Sequence, residues 1–101
     1  MKKKEFKKWN GAETNELLAA ILKIKTVDEA RRFFRDLCTE DELIDMADRF
    51  QAAKLLAQGY DQRDVADHVN MSTTTVSRVN HWLNQGEGGY QLILKRIGVI
   101  K

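Results

Sequence analysis

The stretch Val69–Trp82 reads VNMSTTTVSRVNHW. Its functional groups are the short hydroxyls of Ser72, Thr73, Thr74, Thr75 and Ser77, followed by the guanidinium of Arg78 and the imidazole of His81. Short hydroxyls donate and accept hydrogen bonds close to the backbone, and an arginine fork pairs with guanine or with phosphate. Such a set suits recognition of base edges and phosphate oxygens, and threonine methyls can pack on thymine methyls. The competing account is that Ser and Thr merely cap and coat a solvated helix. Three consecutive Thr have mediocre helix propensity, however, and an idle exposed face more often carries Glu, Lys or Gln. Recognition of duplex DNA is therefore the expectation.

Bond-making chemistry is not expected. Cys38 stands just before a helix start, where a thiolate would be favoured. A free Cys is more often a small apolar group packed away, here beside Leu37. His68 and His81 show no metal-ligand spacing and no orienting carboxylate. His68 suits a helix C-terminus, facing the negative end of its dipole. Glu40, Asp41, Glu42, Asp45 and Asp48 fall in the first turns of a helix and read as a solvated face at its positive end. The sequence thus reads as a non-enzyme, with no catalytic residue, no metal and no cofactor.

The elements that would hold the hydroxyl-rich face form a helix-turn-helix over residues 62–84. Asp61 caps a short helix from Gln62 to about His68, and Ser72 caps a longer one from Thr73 to about Asn84. Val65 anchors the first helix, Ala66 allows close crossing, and Val69 closes its apolar side. Asn70 supplies the turn residue that tolerates positive φ, and Met71 plugs the turn. Val76 and Val79 turn inward at i and i+3, which leaves Thr73, Thr74, Thr75, Ser77, Arg78 and His81 outside. In this reading Thr73, Thr74, Thr75 and Ser77 touch bases, while Gln62, Arg63 and Arg78 hold phosphates.

The rest of the chain also reads as helix, about six in all, with no strand. Leu17, Leu18, Ile21 and Leu22 mark a helix over roughly 13–24. Thr26-Val-Asp-Glu29 is a capping box that opens a helix with Val27, Ala30, Phe33, Phe34 and Leu37 on its apolar side. A second box, Thr39-Glu-Asp-Glu42, opens the longest helix, which runs to about Gln58. Its stripe is Leu43, Met46, Ala47, Phe50, Ala53 and Ala57, with Leu55 and Leu56 flanking. Gly59 stops it. After the flexible run at 85–89, residues 90–97 form a last apolar helix.

The chain has 101 residues, no Pro and one Cys, which suits one compact domain over 13–101 preceded by a basic arm over 1–12. The apolar stripes on four helices exceed what one small monomer can cover, so a homodimer is expected. No apolar run approaches the ~20 residues of a membrane span, and the N-terminus lacks the apolar core of a secretion signal. The cytoplasm is the expected location. The net charge of +2 is uneven, with five Lys and one Glu in residues 1–8 and twelve Lys+Arg against fourteen Asp+Glu beyond. A DNA binder usually shows a basic patch, and this slightly acidic body would also suit an interaction module that uses a helix-turn-helix head without DNA. The arm, with Phe6 and Trp9 tying its end to the first helix, serves either as a phosphate-contacting extension or as a solvated tail.

The order of parts resembles the Trp repressor family, and within it the YerC/YecD proteins. The likeness rests on the Thr-capped long helix (Thr39-Glu-Asp-Glu…Ala-Asp-Arg49), the Gly stop, Gln62-Arg63-Asp64, and Thr-Val-Ser-Arg78. It covers roughly 27–97. It implies an intertwined all-α homodimer whose two heads meet half-sites about 34 Å apart on one side of the duplex, acting as a repressing regulator. It also implies a tryptophan pocket between core and head, where Arg49 and Arg78 would flank the indole and Thr39 would line the wall. Where the tryptophan-responsive repressor has Gly, this chain has Val79, and its turn before Gln62 is one residue shorter. The expectation is therefore that tryptophan is not a co-repressor. The chain would bind DNA unaided or answer to a smaller anion held by the two arginines, unless Arg49 simply pairs with Asp45 one turn back.

Overall fold

In a computed structural model that describes residues 8–101, the chain forms six helices: α1 (Ala12–Ile21), α2 (Val27–Leu37), α3 (Glu40–Ala57), α4 (Gln62–Val69), α5 (Thr73–Gln85) and α6 (Gly89–Arg96). No strand occurs among the described residues. The expected bounds hold to within a few residues, and α1 departs most, stopping at Ile21 rather than 24. The chain divides into two compact units at Thr39/Glu40, a division that falls inside the stretch read as one domain.

The first unit holds α1 and α2. Thr26 caps α2 by accepting from the Glu29 amide at 3.1 Å. The reciprocal bond of the box goes one residue further out than expected, from the Lys25 amide to Glu29 Oε1 at 3.0 Å. Arg31 and Arg32 both reach the exposed Asp28 carboxylate, at 3.8 and 3.2 Å, an arrangement that contributes little in solvent. Phe33 and Phe34 meet edge to face with centroids 5.8 Å apart. Neither helix has a buried residue, and Leu22 is 84% exposed. Residues 1–7 of the basic arm lie outside the described residues. Trp9, expected to tie the arm down, is 70% exposed.

The second unit holds the core. Helix α3 ends in a paired turn in which the Tyr60 amide donates to the Leu55 carbonyl and the Gly59 amide to Leu56. Gly59 adopts φ 98° to close it, a backbone conformation that glycine reaches without a Cβ clash. Helices α4 and α5 pack on α3 and on each other, and α6 packs on α5. Their shared core is Ala52, Ala53, Val65, Ala66, Val69, Val76 and Val79, with Leu55, Leu56, Met71 and Tyr90 against it. Leu94 of α6 is fully buried, and Gln91 Nε2 donates to the Leu83 carbonyl at 3.1 Å across the α5–α6 junction.

The apolar stripe expected on α3 needs correction. Only Ala52 and Ala53 of that helix are buried, whereas Ala47 is exposed and Phe50 is 36% exposed. Helices α4 and α5 cover the C-terminal half of α3, and adjacent alanines let helix axes approach closely there. Leu55 and Leu56 pack at the edge of this contact, and Phe50 borders a groove with Trp82 of α5.

Candidate nucleic-acid interface

Local hydrogen bonding builds the helix-turn-helix. Asp61 Oδ1 accepts from the Asp64 amide at 2.9 Å and starts α4. Asn70 ends it in the left-handed region at φ 55°, so that the Met71 amide donates back to the Ala66 carbonyl at 3.0 Å. Ser72 Oγ accepts from the Thr75 amide at 3.1 Å and starts α5. The chain thus turns from one helix to the next in three residues. Val65, Ala66, Val69, Val76 and Val79 all enter the core, so five of the seven positions the motif prescribes are buried, Met71 is half-buried, and Asn70 takes the turn.

Burying Val76 and Val79 fixes which residues of α5 face out. Thr73, Thr74, Ser77, Arg78 and His81 are exposed, as are Arg63 and Ser72, while Thr75 and Gln62 are half-buried. Seven of the nine residues read from the sequence as a DNA face are thus exposed, and Thr75, expected among them, instead lines a cleft against α3. The hydroxyls differ in their commitments, which the sequence did not reveal. Thr75 Oγ1 lies 2.9 Å from Ser72 Oγ, within the helix cap. Ser77 Oγ donates to Gln62 Oε1 at 2.8 Å, across the two helices. Thr73 and Thr74 make no side-chain hydrogen bond among the described residues. The His81 ring packs edge-on against Trp82 with centroids 4.8 Å apart, which turns part of its surface toward an apolar neighbour.

Removing the Ser72 cap should be felt by the whole head. Ser72→Ala is expected to cost about 1 kcal/mol, because one amide of the first turn of α5 loses its acceptor. For a domain of this size that corresponds to a fall in Tm of about 4–8 °C, read by thermal unfolding followed by circular dichroism. An unchanged Tm would mean that water replaces the cap at no loss.

Of the residues expected to hold an effector, Arg49 lines a cleft within the second unit. This cleft of about 450 Å³ opens between α3 and the turn of the motif, lined by Asp45, Asp48, Arg49, Asn70, Met71, Ser72 and Thr75. Arg78 and Val79 are not in its wall. Val79 is 3% exposed and belongs to the core, and Thr39 belongs to the first unit. Arg49 Nε donates to the main-chain carbonyl of Asp45 at 3.4 Å, so the pairing one turn back uses the backbone and not the carboxylate. Two carboxylates beside one guanidinium give this cleft a net negative charge, which disfavours an anion. Asp48, Asn70 and Met71 were not singled out for it. The i, i+3, i+4 spacing of Asp45, Asp48 and Arg49 was the available signal, since it places all three on one helix face.

Among the described residues, no group of three or more His, Cys, Asp and Glu is placed to hold a metal ion. Among these residues, no helix is long and apolar enough to cross a membrane.

Comparison with known proteins places this geometry. The chain is 36% identical over 93 residues to YerC of Bacillus subtilis (strain 168), an alignment covering 92% of this chain and 89% of the relative. It superposes on a TrpR-like protein from Eubacterium eligens ATCC 27750 with a TM-score of 0.86 at 38% identity, covering 92% of this chain and 96% of that one. A candidate Trp repressor from Staphylococcus aureus gives a TM-score of 0.85 at 37% identity, covering 91% and 92%. The sequence pattern of the Trp repressor protein matches residues 12–98, across both compact units, and the chain belongs to the Trp repressor family.

Proposed function

We propose that the protein is a sequence-specific DNA-binding transcriptional regulator that acts in the cytoplasm as a homodimer and represses by occupying its site. The observation that carries this reading is the outward face of α5, where hydroxyls and Arg78 stand exposed on a helix seated by Val76 and Val79. A recognition helix in this setting enters the major groove N-terminus first. Thr73 and Thr74 then lie at base edges, and Gln62, Arg63 and Arg78 at phosphates. The dimer is supported by unspent apolar surface. Phe50, Trp82, Tyr90 and Ile93 line an apolar groove of about 630 Å³, and Trp82 is 58% exposed. Helices α1 and α2 bury no residue at all.

The protein binds DNA without tryptophan. Val79 occupies core volume, so the head is held against α3 by side-chain packing and needs no ligand to steady it. The negative cleft beside Arg49 gives no support to an anionic effector in that place.

Selection of bound fragments from genomic DNA tests the function, and one enriched, roughly two-fold symmetric site is expected. Titration of that duplex at several salt concentrations should give a log–log slope of about −3 to −4, as four arginines per dimer (Arg63 and Arg78 in each subunit) displace counterions. No enriched site and no affinity for random duplex would reverse the reading in favour of a protein-interaction module. Sedimentation showing a monomer at micromolar concentration would remove the two-headed geometry.

A further inference from the structure

The hydrogen bond from Ser77 to Gln62 joins side chains 15 residues apart, on the two helices of the DNA-binding motif. It lies at the surface, where a neutral bond competes with water and adds little to stability. Its consequence is orientation. A glutamine carboxamide offers an accepting oxygen at one end and two donating hydrogens at the other. Ser77 donates to Oε1, so that end of Gln62 is taken and Nε2 is turned away with both hydrogens available. Phosphate oxygens only accept. The end that Ser77 leaves open is the end that a phosphate can use.

We propose that Ser77 is a positioning residue that presents the amide hydrogens of Gln62 to a DNA phosphate, and that it does not itself read a base. The proposal rests on the DNA-binding reading above and sharpens it. A glutamine without this bond exposes either end and must be ordered on binding, whereas the bonded one is ordered beforehand. The bond also ties the seating of α5 in the groove to the backbone contact made from α4. Thr75 is similarly occupied by the Ser72 cap, so Thr73 and Thr74 are left as the hydroxyls that discriminate between bases.

The test is a double-mutant cycle with the full chain on the genomically selected duplex. Gln62→Ala, which removes one phosphate contact from each subunit, should weaken binding about tenfold, and Ser77→Ala should weaken it by a smaller factor, because the released glutamine must then be ordered on binding. The double variant should lose no more than Gln62→Ala alone. Ser77→Thr, which keeps the hydroxyl, should bind like the parent chain. Ser77→Ala should lower affinity equally for every single-base variant of the site, and thermal unfolding of all four variants should match the parent. Additive losses would overturn the proposal by giving Ser77 a DNA contact of its own, and relaxed discrimination at one base pair in Ser77→Ala would overturn it by making Ser77 a base reader. Those outcomes leave DNA binding itself intact. A parent chain with no duplex affinity would instead sink the functional reading, and this proposal with it.

Discussion

Arg78→Ala is expected to lower affinity for the selected site at least about thirtyfold while leaving Tm within about a degree of the parent. Each direct arginine contact to a base edge or phosphate contributes about 1–3 kcal/mol, and a homodimer loses two of them at once, far enough apart to add. At about 1.4 kcal/mol per tenfold, the smallest combined loss already gives that factor. The fold loses nothing in exchange, because Arg78 is exposed and makes no hydrogen bond or ion pair among the described residues. The pattern of the loss carries further information. A uniform fall across duplexes with a shallower salt slope assigns Arg78 to phosphate, and a fall confined to the preferred sequence assigns it to a guanine. Arg78→Lys should recover only part of the affinity, since a point charge lacks the planar fork. Binding unchanged in Arg78→Ala would mean that α5 is not the helix in the groove.

Val79→Gly is expected to destabilise the head by about 3 kcal/mol. Three buried carbons at about 0.8 kcal/mol each make up most of this, and glycine inside a helix costs up to about 1 kcal/mol more than alanine. The corresponding drop in Tm is about 12–24 °C. The same substitution tests the ligand. L-Tryptophan titrated into the parent chain by calorimetry should show no micromolar binding, and operator affinity should not change with it, because Val79 fills the place where the resembling repressor has glycine. Glycine at this position should loosen the head and, if space alone is missing, admit an indole and regain stability on doing so. Micromolar binding of tryptophan to the parent chain, coupled to tighter DNA binding, would show that the slot lies elsewhere.

The helix-turn-helix was legible from the sequence almost residue by residue. Asp61 and Ser72 accept from amides three residues on, Asn70 turns the chain so that the Met71 amide reaches the Ala66 carbonyl, and the inward positions Val65, Ala66, Val69, Val76 and Val79 follow from helical spacing within one motif. The same holds for Gly59, whose positive φ closes a turn defined by its own neighbours. Interactions of that range are written into a short stretch of chain, so residue type and spacing determine them. The stripe on α3 was not legible in this way. Its periodicity marks a helix with an apolar side, but the burial of Ala52 and the exposure of Phe50 depend on which turns α4 and α5 reach. The two aspartates beside Arg49 in its cleft are likewise a matter of how α3 meets the turn of the motif. The roles of the hydroxyls divide along the same line. Spacing placed Thr73, Thr74, Ser77 and Arg78 on the outer face of one helix, whereas Thr75, expected there too, is half-buried and lines the cleft against α3. Only the crossing of α4 over α5 brought Gln62 within 2.8 Å of Ser77, because a contact between residues 15 apart is set by how two helices pack and not by the propensities of either.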